Sequence, residues 1–167
     1  MKKILCFTFL CGIVLSSCAL NSNQGISNLQ PEKAVLKPKY TAENLQITLE
    51  KTPCYGMCPT YSLKIYGDGK VVWDGTKNVK KEAQDSAMIS QDEIVKLVNS
   101  FDVNNFYSFN DRYESRMVTD LPSTTVTIVK NGERKSVYSY FGAPKEFTNV
   151  ARAIEDIAIA QGWLERN

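Results

Sequence analysis

The chain has 167 residues, with 20 Lys and Arg against 18 Asp and Glu, no histidine and five cysteines. The absence of histidine excludes Ser-His-Asp and Cys-His catalysis and removes the commonest zinc and copper sites. The near balance of charge excludes a nucleic-acid or membrane-surface binder that works through net charge.

Met1-Lys2-Lys3 precedes an apolar run from Ile4 to Leu15, and Ser16-Ser17-Cys18-Ala19 follows it. A short positive segment, an apolar core and small residues before a cut site make a secretory signal. The run is shorter than the roughly 20 residues a permanent membrane span needs. Leu15-Ser16-Ser17-Cys18 resembles the lipobox of bacterial lipoproteins. The resemblance implies cleavage before Cys18, a diacylglyceryl group on the Cys18 sulfur and an acyl chain such as palmitate on the new N-terminus. Each buried methylene contributes about 0.8 kcal/mol, and stable anchoring takes more than one chain, so a triacylated Cys18 would anchor the protein in a lipid bilayer. Ala19, rather than Asp, resembles an outer-membrane address. The expectation is a lipid-anchored protein of the bacterial cell envelope, on the outer membrane and facing the periplasm.

Removal of residues 1–17 takes Lys2 and Lys3 with it, which leaves 18 basic and 18 acidic side chains. Residues 18–41 hold the lipidated N-terminus and a tether: Asn, Ser and Gln, then Pro31 and Pro38, with no apolar periodicity. As a flexible coil it spans roughly 25–30 Å. Residues 42–167 remain as a single domain, large enough for a core of its own.

Within that domain Leu45, Ile47 and Leu49 alternate with polar residues and predict a half-buried strand. A turn-rich loop, Thr52 to Pro59, leads to a second alternation at Tyr61, Leu63 and Ile65. Gly67-Asp68-Gly69 predicts a hairpin into a third strand carrying Val71 and Trp73, with a weaker extended stretch from Lys77 to Gln84. Ser90-Gln91-Asp92-Glu93 is a capping box, flanked by a hydrophobic staple of Ile89 and Ile94. Ile94, Leu97, Val98 and Phe101 then follow helical spacing over 91–101, with Phe106 and Phe109 anchoring the exit. Residues 110–122 are irregular and charged. Thr124 to Lys130 is β-branched, Asn131-Gly132 is a type I′ hairpin signal, and the return strand runs from Arg134 to Tyr140. Gly142-Ala143-Pro144 starts a second helix with its stripe at Phe147, Val150, Ala151, Ile154, Ile157 and Ala158. The order β-β-β-(β)-α-β-β-α predicts a two-layer α+β domain: a mostly antiparallel sheet of about five strands with two amphipathic helices on one face.

Thr52-Pro53-Cys54-Tyr55-Gly56-Met57-Cys58-Pro59-Thr60-Tyr61, Ile65-Tyr66-Gly67-Asp68-Gly69-Lys70-Val71 and Thr119-Asp120-Leu121-Pro122 together resemble a bacterial domain family described only as a domain of unknown function, often found behind lipoprotein signals. The likeness covers roughly residues 45 to 160. It implies a single domain and a paired Cys54 and Cys58, and it brings no activity, cofactor or catalytic residue.

The mature chain would keep Cys54 and Cys58 besides Cys18, and in an oxidising compartment two cysteines so close pair as a disulfide. The structural reading is a staple between Pro53 and Pro59. The alternative is a thiol-redox or copper-handling protein using Cys54 and Cys58, with Met57 as a soft ligand. Against it stand the three residues between the cysteines and the missing histidine. Gly67-Asp68-Gly69 lacks the acidic repeat of a calcium loop and reads as a turn. Asp111, Glu114 and Asp120 could form a carboxylate pair for glycoside hydrolysis, but a domain this small offers little room for a sugar cleft. No metal site, cofactor or nucleic-acid partner is expected, and an enzyme is disfavoured. The reading is a non-enzymatic envelope module that binds a protein or cell-wall partner through Asp111, Arg112, Tyr113, Asp120, Tyr138 and Tyr140. The two tyrosines lie opposite Val137 in strand parity and would face solvent.

Overall fold

A computed structural model describes residues 39–166. The signal segment 1–17, Cys18 and the tether as far as residue 38 lie outside the described residues.

Strand β1, Leu45–Lys51, buries Leu45, Ile47 and Leu49 on alternate positions. It pairs antiparallel with β2, Thr60–Tyr66, so that Leu49 stands opposite Leu63 and Ile47 opposite Ile65. The Gly67-Asp68-Gly69 turn returns the chain as β3, Lys70–Lys77, which buries Val71 and Trp73. Gly69 has φ +96°, and a Cβ there would lie 2.3 Å from the Ile89 carbonyl oxygen, so only glycine fits this corner. Strand β4, Gln84–Met88, pairs antiparallel with β3.

Helix α1, Gln91–Val103, opens with the capping box in full: Glu93 N–H donates to Ser90 Oγ, and Ser90 N–H donates to the Glu93 carboxylate. A 3-10 turn, Phe106–Ser108, buries Phe106 against Phe101. Strand β5, Arg112–Tyr113, then runs parallel to β7, while β6, Thr124–Lys130, and β7, Glu133–Ser139, form the expected hairpin. Asn131 and Gly132 both take positive φ, as a type I′ turn requires. Helix α2, Lys145–Ala160, closes the chain.

The fold is α+β, with two helices and a seven-stranded sheet in the order β4-β3-β2-β1-β6-β7-β5. The alternate apolar residues of the strands and the stripes of both helices form one core cluster. No described helix is long and apolar enough to cross a membrane.

Four features depart from the sequence expectation. The sheet has seven strands rather than about five. The weak strand lies at Gln84–Met88 and not at 77–84, because Asn78 turns the chain with φ 55° and the later segment supplies the ladder to β3. Arg112–Tyr113, inside the segment read as irregular, adds a short parallel strand. Tyr40, assigned to the tether, is buried in the core, which moves the domain boundary outward; Thr41 N–H donates to Asn44 Oδ1 and fixes the turn that brings Tyr40 in.

Register decides which loops meet. Lys51 pairs with Thr124, Thr124 with Ser139, and Thr60 with Lys77. Loops 52–59, 78–83, 114–123 and 140–144 therefore leave from one end of the sheet. The opposite end carries the two tight hairpins and the Tyr40–Asn44 segment, where Gly67 N–H donates to Leu45 and Asn131 N–H donates to Asn44.

Candidate functional site at the loop end of the sheet

Lys51, the last residue of β1, continues the face that buries Leu49. Its ammonium lies 2.6 Å from Glu155 Oε1 of α2, and the Tyr61 hydroxyl donates to the same oxygen at 2.7 Å. The Tyr61 ring stacks on Trp73 at 4.8 Å, and Trp73 stacks on Trp163 at 5.8 Å. Both indoles are held by hydrogen bonds, Trp73 Nε1 to the Lys81 carbonyl and Trp163 Nε1 to the Asp85 carboxylate. Burial, then the Glu155 charge and hydrogen bond, push the Tyr61 phenol far above its ordinary range. It stays protonated and acts as a donor that fixes Glu155.

Three adjoining hollows surround this group. One, of about 410 Å³, lies over Lys51, Tyr61, Arg152 and Glu155. A second, of about 430 Å³, shares Lys51, Arg152 and Glu155 and extends to Tyr140 and Phe141. A third, of about 410 Å³, adjoins the first at Pro59 and Leu164 and reaches Met57. Two of the three cations over the first hollow are paired, Lys51 with Glu155 and Arg166 with Asp156.

The rim of this end carries several exposed apolar side chains. Among the described residues eight large hydrophobic side chains are exposed, and five of them, Tyr55, Met57, Met117, Leu121 and Phe141, sit on the loops gathered here. Cys54 and Cys58 are joined in a disulfide that closes the 52–59 loop, with Gly56 N–H directed at Cys54 Sγ. The base of the loop is tied down on both sides. Thr52 N–H donates to the Ser123 carbonyl, Ser123 N–H donates to Thr52 Oγ1, and Asn78 Nδ2 donates to the Cys58 carbonyl. The tip is left to solvent, with Tyr55 93% and Met57 86% exposed.

The residues singled out from sequence do come together, but mainly with one another. Asp111 pairs with Lys135 at 2.6 Å. Arg112 lies 4.2 Å above the Tyr138 ring and 2.6 Å from Glu114. Tyr113 packs against the core, and its hydroxyl accepts the Asn110 N–H. The Tyr140 hydroxyl accepts the Leu121 N–H, and Tyr140 N–H donates to the Tyr113 carbonyl. Asp120 sits at φ 66° and accepts the Thr119 hydroxyl. Tyr138 and Tyr140 are half-buried rather than open to solvent. These contacts fasten the 110–122 segment onto β7.

The same contacts bear on the carboxylates. The hydrogen bond from Arg112 holds the Glu114 carboxyl below its usual range, the opposite of what a general acid needs. Asp111, Glu114 and Asp120 each have a separate partner: Lys135, Arg112 and the Thr119 hydroxyl.

Sequence reasoning missed Lys51, Arg152, Glu155 and Trp163 as site residues. Tyr61 and Glu155 are 94 positions apart, so no local pattern links them. The register between Lys51 and Thr124 is what assembles the loops.

No curated protein matches the chain in a similarity search. The family model described as a domain of unknown function, DUF6438, matches residues 45–158, from the first residue of β1 into the last turns of α2, and the chain therefore belongs to that family.

Proposed function

We propose that this protein is a lipid-anchored lipoprotein of the bacterial cell envelope whose single domain is a non-enzymatic binding module, with its recognition surface at the loop end of the sheet. In this reading the signal 1–17 is removed, Cys18 carries the lipid, and the chain as far as residue 38 is the tether. The protein stands on the outer membrane facing the periplasm, and its partner is an envelope protein or a cell-wall component. Sheet and helices form two layers, both helices covering the Leu49 face.

The observation that carries the binding role is the gathering of five of the eight exposed large hydrophobics onto loops at one end. Large exposed apolar groups brought together mark interaction surfaces, whereas scattered ones do not. The surface also has the composition that favours recognition: aromatic and methionine side chains around an arginine and a partly buried ion pair. The proposed surface adjoins the Tyr138 face, where Arg112 lies over the Tyr138 ring, and it includes Tyr140, which lines the second hollow.

Photo-crosslinking in living cells tests the reading. A photoreactive residue in place of Met117 or Phe141 should give discrete adducts, and one in place of Thr48 or Lys64, on the strand face away from the core, should give none. Adducts from the strand face alone would place recognition elsewhere.

A further inference from the structure

We infer that the Cys54–Cys58 loop is a preformed knob, its Tyr55 and Met57 side chains inserting into an apolar recess of a protein partner. The inference rests on the reading of the loop end as the recognition surface, and it names the kind of partner and the part of that surface that enters it.

Shape is the first argument. Tyr55 and Met57 are the outermost side chains of their loop, flanking Gly56, and both are almost wholly exposed. Two exposed apolar side chains side by side on one loop tip call for a partner with an apolar recess. Stiffness is the second. The disulfide closes the tip, Pro53 and Pro59 restrict both flanks, and hydrogen bonds from Thr52, Ser123 and Asn78 fix the base. A loop already ordered loses little conformational entropy on insertion, so its apolar contacts convert more fully into affinity. A tyrosine and a methionine suit such a role, since aromatic residues dominate binding energy at interfaces and methionine adapts to an apolar pocket.

The placement of the chain argues for a protein and against a bilayer. The first described segment, Tyr40–Asn44, lies beside Gly67 and Asn131, at the end of the sheet opposite to the knob. A tether that carries lipid on Cys18 would therefore join the fold at the end opposite to the knob. The flanking charges are mixed: Lys81 pairs with Asp85, Lys80 lies near Glu82 in sequence, and Arg116 near Glu114. An anionic lipid surface calls for a cluster of one sign.

The test uses the full chain in cells, with a photoreactive residue in place of Tyr55 or Met57. The inference expects both positions to crosslink to one and the same protein. With that protein purified, the Tyr55→Ala, Met57→Ala double variant should bind it at least about 10-fold more weakly, with an unchanged melting temperature because both side chains are exposed. A Cys54→Ser, Cys58→Ser variant that still melts cooperatively should also bind more weakly.

Adducts to phospholipid would overturn the inference in favour of a membrane contact. Adducts from Met117 or Phe141 but not from positions 55 and 57 would overturn the knob while leaving the recognition end intact. No adduct from any of the four positions would overturn both. Binding unaffected by the Tyr55 and Met57 truncations would overturn the insertion even where a crosslink forms.

Discussion

Tyr61 shows how one side chain can tie a strand to a helix and to a polar site at once. Its ring is stacked in the core, and its hydroxyl reaches the carboxylate oxygen that Lys51 also holds. Tyr61→Phe keeps the ring and removes the donor. A hydrogen bond to a charged group contributes about 1.5–3 kcal/mol, so urea denaturation of this variant should show a loss of that order. The pH dependence follows from the raised phenol. Unfolded tyrosine titrates near 10, and the folded state keeps the proton well above that. Below pH 10 both states hold the proton, and Tyr61 adds nothing to the slope. Above it only the folded state does, so stability should fall with rising pH by up to about 1.4 kcal/mol per unit from this residue. Denaturation midpoints of the native chain and Tyr61→Phe, measured from pH 8 to 11.5, should diverge below pH 10 by the lost hydrogen bond and converge above it. Parallel curves would show that the phenol ionises alike in both states. Gly75 illustrates a different constraint at the same scale. A Cβ there would lie 2.0 Å from the Lys81 carbonyl oxygen, so Gly75→Ala must push the 78–83 loop off β3. Overpacking of this kind costs about 1–3 kcal/mol, readable in the same urea titration.

At the scale of elements, the disulfide loop and the capped helix invite direct measurement. The ring between Cys54 and Cys58 is short, and the chain-entropy estimate for its closure is ~2 kcal/mol. Cys54→Ser with Cys58→Ser should lower unfolding stability by about that much, and the loss should vanish when both chains are compared in reductant. Ser90→Ala breaks a capping box in which both reciprocal bonds are present and should cost about 1 kcal/mol. These elements were legible from sequence because their signals are local: the Ser90–Glu93 spacing, the alternation in β1 and β2, the Asn131-Gly132 turn. What was not legible depends on distant partners. Gln84-Asp85-Ser86-Ala87-Met88 has little intrinsic strand preference; it is a strand because β3 offers it a ladder. Arg112–Tyr113 pairs parallel with β7 over two residues, too few for any periodicity. Tyr138 lies on the predicted strand face, yet Arg112 covers it from another strand. The loop end itself arises from the pairing of Lys51 with Thr124, a register that sequence pattern alone does not set.

For the whole molecule, the direction of β1 connects the proposed anchor to the proposed site. The strand carries the chain from the end where residue 39 joins the fold to the end that bears the knob, and seven residues at about 3.3 Å each separate the two by roughly 20 Å. A tether of roughly 25–30 Å reach would then join the fold at the end opposite to the knob. Anchor and module are then separable. The core of the described residues runs from Tyr40 to Leu164, so loss of the lipid should leave the folding of that core unchanged while it abolishes placement. Cys18→Ser in the full chain should move the protein from the membrane fraction to the soluble one and remove incorporation of labelled palmitate. Its melting temperature should match that of the native chain, because the substitution alters no member of the described core, and substitutions away from a core are usually within about 0.5 kcal/mol. A Cys18→Ser protein that remained membrane-bound would show that the domain itself holds the membrane. The knob at the loop end would then be the first surface to suspect, and the assignment of its partner would pass from protein to lipid.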